Sequence, residues 1–227
     1  CGLVRVATVE ENRIILQEQV PEAVLAVYNN GTDVVKFVET QLHWADAVVA
    51  GPGISQSDLS ERMLYELLKR IQVPCLCDAD ALNLLSKHPD WWKLVQSPLV
   101  ITPHLGEMAR LTGRPITEIR DRLVQTAQEF AMEHQITVVL KDARTITARP
   151  DGQSYINVSG NHGMATAGAG DVLSGVVGAL LAQKLDMHLA AALGVFIHGL
   201  AGDAAAERVG HCAMMASDIV DGLMDVL

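Results

Sequence analysis

The sequence predicts an α/β fold with a mostly parallel central sheet and helices on both faces. Short runs of apolar, β-branched residues alternate along the chain with longer segments that are apolar at helical spacing. The short runs are mostly apolar, as strands are when helices cover both faces of a parallel sheet. Apolar residues make up 49% of the 227 residues, which is enough for a sizeable core.

The first half of the chain alternates between predicted strands and helices. Apolar runs predict strands at Leu3–Val9, Ala23–Tyr28, Ala47–Ala50, Pro74–Cys77 and Leu99–Ile101. Helical periodicity predicts helices at Asp33–His43, up to Lys69, and at Ala81–Ser86. Ser55 and Asp58 have capping-box spacing for the second of these helices, and Asp80 is placed to cap the third.

The second half of the chain continues the pattern and adds a hairpin. A helix is predicted at Thr117–His134 and a strand at Thr137–Leu140. Asp151-Gly152 is a turn signal between strands at Thr145–Ala148 and Ser154–Asn157. Three further helices are predicted at Asp171–Gln183, Leu189–Arg208 and Ser217–Val226. No repeat, linker or low-complexity segment interrupts the chain, so residues 1–227 are interpreted as a single domain.

A glycine-rich stretch leads into the helix that begins near Asp171. Gly168, Ala169 and Gly170 leave backbone N–H groups uncovered at the positive end of the helix dipole, which is a favourable site for phosphate. Asp171 lies in the first turn, where the dipole is expected to keep its carboxylate ionised. A carboxylate beside a phosphate site can accept a proton from an attacking hydroxyl, although glycine turns also open many helices that bind nothing.

Polar and glycine residues follow several of the predicted strands directly. They are Gly51 and Gly53, Asp78, Thr102-Pro103-His104, and Lys141. Because the carboxyl ends of parallel strands meet at one edge of a sheet, we expect these groups to lie together with the glycine-rich stretch. Asp78 lacks the capping explanation that Asp80 has, and Asn83 follows on the same helix. Lys141 and Arg144 are candidate phosphate ligands.

Composition excludes several functional classes. The net charge of −10 argues against nucleic-acid binding, which needs a basic face. The longest apolar run, Leu189–Gly202, contains His198, so no membrane span is expected. The cysteines lack C-x-x-C spacing, and Cys75 and Cys77 fall on a predicted strand as buried thiols. We therefore expect a cytoplasmic protein with reduced cysteines.

Five stretches stand out in order along the chain: A-G-P-G-I at Ala50–Ile54, D-A-D-A-L-N at Asp78–Asn83, T-P-H-L-G-E-M-A-R-L at Thr102–Leu111, L-K-D-A-R-T at Leu140–Thr145 and G-N-H-G-M-A-T-A-G-A-G-D-V-L-S-G at Gly160–Gly175. Together they resemble the ADP/ATP-dependent NAD(P)H-hydrate dehydratases of the ribokinase-like superfamily. The resemblance implies a ribokinase-like fold and the repair of hydrated NADH and NADPH. A phosphoryl group from ADP or ATP, with Mg²⁺, would pass to the hydroxyl of the hydrated ring, and phosphate would then leave. A homo-oligomer, for which a tetramer is one option, and cooperation with an NAD(P)H-hydrate epimerase are also expected.

The same resemblance assigns roles to individual residues. Asp171 is the expected catalytic base and also contacts substrate. The expected substrate-binding residues are Gly51, Gly53, Asp78, Asn83 and His104. The expected nucleotide-binding residues are Lys141, Asp142, Ala143, Arg144 and Thr145, together with Gly168, Ala169 and Gly170. Glu107 matches a position that helps to hold hydrated Mg²⁺, although a Glu at a helix start is also favoured by the dipole. The family usually has glycine where this chain has Asp142, which either repels phosphate or adopts a positive φ.

Three alternatives stay open on the sequence. The glycine-rich stretch and Asp171 equally fit a small-molecule kinase of the same superfamily, of the hydroxyethylthiazole or hydroxymethylpyrimidine type. A nucleotide-binding or oligomer-forming protein without activity is the second alternative. In addition, members of the family have a strand–loop–helix unit of about 30 residues before the stretch that here begins at Gly2. We expect this unit to be absent, through either truncation or a natural short form.

Overall fold

The computed structural model describes residues 1–227, which form a two-stranded and a six-stranded sheet. The strands are β1 (Arg5–Val9), β2 (Val24–Tyr28), β3 (Val48–Ala50), β4 (Cys75–Cys77), β5 (Leu99–Ile101), β6 (Thr137–Leu140), β7 (Ile146–Ala148) and β8 (Ser154–Ile156). The helices are α1 (Arg13–Gln19), α2 (Val34–Trp44), α3 (Asp58–Arg70), α4 (Asp80–Lys87), α5 (Leu105–Thr112), α6 (Ile116–Asp121), α7 (Leu123–His134), α8 (Ala169–Ala182), α9 (Met187–Val209) and α10 (Ala216–Val226).

Parallel pairing dominates both sheets, as the sequence predicts. β1 pairs with β2 in parallel and with no other strand. The larger sheet has the order β3-β4-β5-β6-β7-β8, in which β3 to β6 are parallel. β7 and β8 are antiparallel, with Ile146 opposite Ile156, which confirms the predicted hairpin. The mostly parallel sheet is therefore confirmed, with the first two strands as a separate pair.

Helices cover both faces of the larger sheet. Successive side chains of a strand point to opposite faces, and β4 shows the consequence. Cys75 and Cys77 are free thiols buried in the larger core cluster, together with Leu64 of α3 and Phe130 of α7. Leu76, between them, packs in a second cluster with residues of α8 and α9. The predicted covering of both faces is confirmed, and the single-domain assignment of residues 1–227 stays a prediction.

Two predicted helix caps are wrong. Ser57, not Ser55, caps α3, because its hydroxyl accepts the backbone N–H of Ser60 at 3.2 Å. Ser55 has a φ of 63° and lies before the helix. Asp80 is the first residue of α4, and Ala79 precedes it with a φ of 49° and no capping side chain. The carboxylate of Asp80 instead accepts side-chain hydrogen bonds, so it is not available to the helix end.

The region after β5 differs most from the prediction. The single helix predicted at Thr117–His134 is two helices, α6 and α7, separated at Arg122, whose φ of −129° and ψ of 40° are not helical. The sequence does not predict α5. This helix is capped by His104, which is not among the usual capping residues, and it has Gly106 in its first turn, so its signals are weak.

The expectation that no segment is long and apolar enough to span a membrane is wrong for helix α9. By length and composition alone this helix is long and apolar enough to cross a membrane. It packs against α8 and α10, and Ala190, Gly194 and Ala201 are among its buried residues. A core helix meets the same criterion.

Candidate active site

The strand ends of the larger sheet converge as predicted. Asp78 donates its backbone N–H to Ala50 at 3.0 Å, and Thr102 donates to Cys77 at 3.2 Å. Lys141 donates to Pro103 at 2.8 Å and forms a parallel bridge with His104. The hydrogen-bonded ladders thus continue just past the strands, and they hold the polar residues at one edge of the sheet.

The start of α8 lies at this same edge. Gly168 is the N-cap residue, and its φ of 87° is one that residues other than glycine rarely adopt. A Cβ atom on Gly170 would lie 3.3 Å from the Nζ atom of Lys141 and 3.8 Å from Oδ2 of Asp78. The predicted meeting of the glycine-rich stretch with the strand ends is therefore confirmed. The two glycines leave the helix N-terminus open beside an amine.

Asp78 has a different position from the predicted one. It is 1% exposed, and its Oδ1 accepts from Nζ of Lys141 at 2.8 Å. Its Oδ2 accepts from Oγ of Ser174, also at 2.8 Å. With both oxygens engaged, Asp78 holds Lys141 and α8 in place, and its role in substrate binding stays a prediction. Ser174 was missed, although it lies one helical turn after Asp171 on the same face.

Asp171 is exposed in the first turn of α8, and its side chain accepts no hydrogen bond. The pKa of Asp171 is raised from its ordinary value by partial burial and by the charge of Asp78, while Lys141 opposes the shift. The expectation that the helix dipole keeps Asp171 ionised stays a prediction. A raised pKa makes Asp171 a stronger base than an ordinary surface carboxylate.

His104 is held in one orientation by the helix that it caps. Its Nδ1 accepts the backbone N–H groups of Gly106 at 2.9 Å and Glu107 at 3.3 Å. The pKa of His104 is lowered by burial, then by the charges of Lys141 and Arg110. The neutral ring with Nδ1 as acceptor carries its proton on Nε2. His104 is exposed at the rim of the site, and its Nε2 lies 3.4 Å from Oε1 of Glu107.

Glu107 completes the capping box of α5. Its Oε2 accepts the backbone N–H of His104 at 2.8 Å, and its side chain is 6% exposed. Burial raises the pKa of Glu107. No cluster of three or more His, Cys, Asp or Glu residues is arranged to hold a metal. The role of Glu107 toward Mg²⁺ stays a prediction, and only Oε1 is left without a backbone donor.

The two glycines after β3 differ in what surrounds them. A Cβ atom on Gly51, which has a φ of 125°, would lie 1.8 Å from the carbonyl oxygen of Asp78. Gly53 has a φ of 68°, and no atom lies within 4 Å of its Cβ position. Gly51 is therefore required by packing, whereas Gly53 faces open space.

The segment that joins β6 to β7 forms the exposed side of the site. Asp142, Ala143 and Arg144 are exposed, and the Thr145 hydroxyl lies 3.5 Å from the Asp142 carbonyl oxygen. Arg144 donates to the carbonyl of Val158 at 3.3 Å. Asp142 is not among the residues with positive φ, so that explanation for an Asp at this position is wrong. Nucleotide binding by this segment stays a prediction.

Ala169 contributes to the site only through its backbone. Its side chain is 6% exposed and packs in a cluster with Ala201, Ala205, Met214 and Ile219. His198 of α9 lies close to Ala169. Burial lowers the pKa of His198 to about 4, and a hydrogen bond with the Ala169 backbone opposes part of this shift. The Nε2 atom of His198 is buried without a hydrogen-bond partner.

A polar network that the sequence did not reveal lies at the start of α4. Asp80 Oδ1 accepts from Gln56 at 3.0 Å and from Asn83 at 3.2 Å. Asn83 in turn accepts from Nε of Arg110 at 2.9 Å. Both polar atoms of the Asn83 side chain are thus engaged within the protein, which leaves Arg110 as the exposed end of the network.

Comparisons with known proteins agree with this arrangement. A family model described as NAD(P)H-hydrate dehydratase matches residues 1–224. The Bifunctional NAD(P)H-hydrate repair enzyme Nnr of Moorella thermoacetica is 48% identical over 182 residues, which are 80% of this chain and 34% of that protein. The enzyme of the same name from Escherichia coli is 41% identical over 227 residues, 100% of this chain and 42% of that protein. The chain thus spans less than half the length of these curated relatives.

A solved structure extends the comparison to the fold. It is the ADP/ATP-dependent NAD(P)H-hydrate dehydratase of Bacillus subtilis, co-crystallised with ATP/Mg²⁺ and soaked with CoA. Its TM-score to this chain is 0.85 at 28% identity, over 99% of this chain and 80% of that one. Fold, motifs and coverage agree, and the chain belongs to the NAD(P)H-hydrate dehydratase family, with a ribokinase-like fold.

Proposed function

We propose that this chain catalyses the ADP- or ATP-dependent dehydration of hydrated NADH and NADPH. One observation carries the proposal beyond the family: an unpartnered, exposed Asp171 stands at an open helix N-terminus beside Lys141. The relatives and the Bacillus subtilis structure are named for this reaction or for NAD(P)H-hydrate repair.

The nucleotide phosphates would bind at the start of α8. Gly168 and Gly170 present no side chain there, and the backbone N–H groups with the helix dipole attract anions. Lys141 adds a positive charge that is 21% exposed and fixed in position by Asp78. The segment Asp142–Thr145 would border the rest of the nucleotide.

Asp171 would act as the general base. It accepts the proton of the hydroxyl on the hydrated nicotinamide ring as that oxygen attacks the terminal phosphoryl group. The ring phosphate then leaves as inorganic phosphate, and the electron pair of the ring nitrogen replaces the broken carbon–oxygen bond. Loss of a ring proton restores NADH or NADPH, so the nucleotide loses one phosphoryl group and water is removed from the substrate.

His104 and Gly53 support the binding of the substrate on the other side of the strand ends. His104 offers the Nε2–H donor described above, and Gly53 leaves space. Asn83 and Asp78, which the resemblance assigns to substrate, act in this proposal through Arg110 and Lys141.

Mg²⁺ would enter with the nucleotide. The carboxylates of the site fit a hydrated ion held mainly by phosphate oxygens, because Asp78 is fully engaged and Glu107 has one oxygen without a backbone donor. Glu107 Oε1 would receive a water of the ion. When bound, Mg²⁺ supplies charge neutralisation on the phosphates.

A product assay tests the proposed function. The protein is mixed with hydrated NADH or NADPH, Mg²⁺ and ADP or ATP, and both released phosphate and the absorbance of reduced nicotinamide are followed. Equal recovery of phosphate and reduced nicotinamide supports the dehydratase. A stable phosphorylated alcohol from a thiazole or pyrimidine substrate would support the kinase alternative, and ADP binding without any turnover would support a protein without activity.

The cellular context forms a further part of the proposal. We propose that the protein acts in the cytoplasm, as a homo-oligomer, and together with an NAD(P)H-hydrate epimerase. The bifunctional names of the relatives support a second activity linked to this one. Measuring the mass of the purified protein in solution tests the oligomer.

A further inference from the structure

Arg110 carries a positive charge that no carboxylate of the protein neutralises. Its Nε donates to Oδ1 of Asn83 at 2.9 Å, which is a neutral amide. Asn83 is itself fixed by Asp80, whose Oδ1 it reaches at 3.2 Å. The chain has a net charge of −10, and arginines such as Arg70, Arg114 and Arg208 are paired with carboxylates. An exposed arginine held by an amide is therefore an available cation in an acidic protein.

Arg110 points back toward the site from the second turn of α5. Its Nη1 lies 3.9 Å from the Cβ position of Gly106, and Cε1 of His104 lies 2.9 Å from the same point. The charges of Arg110 and Lys141 both lower the pKa of His104. His104 is also bridged to Lys141 through the backbone. His104 is thus close to both cations, and a side chain on Gly106 would collide with the His104 ring beside Arg110.

We propose that Arg110, positioned by Asn83, binds a phosphate group of the dinucleotide substrate. This inference rests on the proposed function, because that function makes the substrate a dinucleotide. With the reacting ring at Asp171 and the phosphates of ADP or ATP beside Lys141, Arg110 is a second cation of the site, close to His104. A dinucleotide carries its own phosphates several bonds away from the nicotinamide ring.

The geometry of the guanidinium suits this ligand. Asn83 occupies the Nε–H group, so the two terminal nitrogens are left to donate side by side to two phosphate oxygens. Holding the side chain through Nε also removes part of the ordering cost of binding. Asn83 is then a positioning residue, and Arg110 determines affinity for the dinucleotide rather than for ADP or ATP.

Kinetics and binding of matched variants test the inference. The variants are Arg110→Gln, Asn83→Asp and, as a control of equal charge change, Arg120→Gln at an exposed position of α6. We measure kcat and KM for hydrated NADPH, KM for ADP, and the Kd of NADPH by its fluorescence. Arg110→Gln should raise the KM for hydrated NADPH and the Kd of NADPH by about 10- to 100-fold, the usual range for hydrogen bonds to a charged group.

The other variants sharpen the expected pattern. Asn83→Asp removes the donor to Asp80 and places a neutralising carboxylate beside Arg110, so KM and Kd should rise by about 10-fold. The KM for ADP should stay within about twofold in both variants, and Arg120→Gln should match the wild type. A structural role for Arg110 would lower the melting temperature instead of raising KM alone.

Several results would overturn the inference. These are an unchanged Kd of NADPH in Arg110→Gln, an increase confined to the KM for ADP, or a wild-type protein that binds no NADPH. If the wild type binds NADPH but does not turn over its hydrate, the proposed function fails, and the Kd values still decide the role of Arg110.

Discussion

Replacing Asp78 by Asn should destabilise the fold through Lys141, and removing both charges should recover much of the loss. Asp78 is 1% exposed and holds Nζ of Lys141 and Oγ of Ser174, each at 2.8 Å. In Asp78→Asn the ammonium group keeps its charge but loses its counter-charge in a place that water reaches only partly, since the Lys141 side chain is 21% exposed.

The size of the effect follows from this geometry. Removing one partner of a buried ion pair costs about 3–5 kcal/mol, because the other charge is left uncompensated. The partial exposure of Lys141 reduces that cost, so we expect about 3 kcal/mol. In a chain of this size, about 3 kcal/mol corresponds to a fall in melting temperature of roughly 6–12 °C.

The double variant Asp78→Asn with Lys141→Met separates the ion pair from the other contacts of Asp78. Met removes the charge while keeping much of the aliphatic chain, so no uncompensated ion remains. The double variant should be more stable than Asp78→Asn by at least about 1 kcal/mol, which is the non-additivity expected for residues in direct contact.

Thermal and urea unfolding of the four proteins in this cycle measure the coupling. Asp90→Asn is a matched control, because the pair of Asp90 and Lys93 is 85% and 79% exposed, and its melting temperature should not change. A melting temperature of Asp78→Asn within about 2 °C of the wild type would refute the reasoning. So would a double variant whose destabilisation equals the sum of the single ones.

Three further predictions concern single positions. Asp171→Asn should lower kcat by about 10²- to 10⁴-fold, because the general base is lost. Its melting temperature should stay within a few degrees of the wild type, because the Asp171 side chain makes no hydrogen bond. A normal kcat would remove Asp171 from the mechanism. Gly51→Ala should lower the free energy of unfolding in urea by more than about 3 kcal/mol, because its Cβ would lie 1.8 Å from the Asp78 carbonyl oxygen. Gly53→Ala has free space around the new Cβ and should lower it by only about 1 kcal/mol, from backbone strain. Equal losses in the two variants would contradict the packing argument. Burial lowers the pKa of His198 from 6.5 to about 4, so the unfolded chain takes up the proton first as pH falls. The folded state should therefore lose on the order of 3 kcal/mol of stability between about pH 6.5 and 4. His198→Gln should flatten this pH dependence of the melting temperature.

The sequence predicts well those parts of the fold that depend on local pattern. Short apolar runs predicted the central strands, as at Leu99–Ile101 and Thr137–Leu140, because strands covered on both faces are apolar at most positions. The glycines before Asp171 indicated an open helix N-terminus for the same local reason. The meeting of strand ends also followed, since parallel strands place their carboxyl ends at one edge.

Other features depend on contacts between distant parts of the chain, and only the tertiary structure decides them. The burial of Asp78 arises because Lys141 and Ser174, 63 and 96 residues away, take its two oxygens. The raised pKa of Asp171 has the same origin, because it is caused by partial burial and by the charge of Asp78, which is distant in sequence. The placement of Arg110 has the same kind of origin, because its Nε is held by Asn83, 27 residues earlier. Local sequence determined which elements form and where the site lies, whereas partners distant in sequence determined which side chains are buried, charged and free to bind.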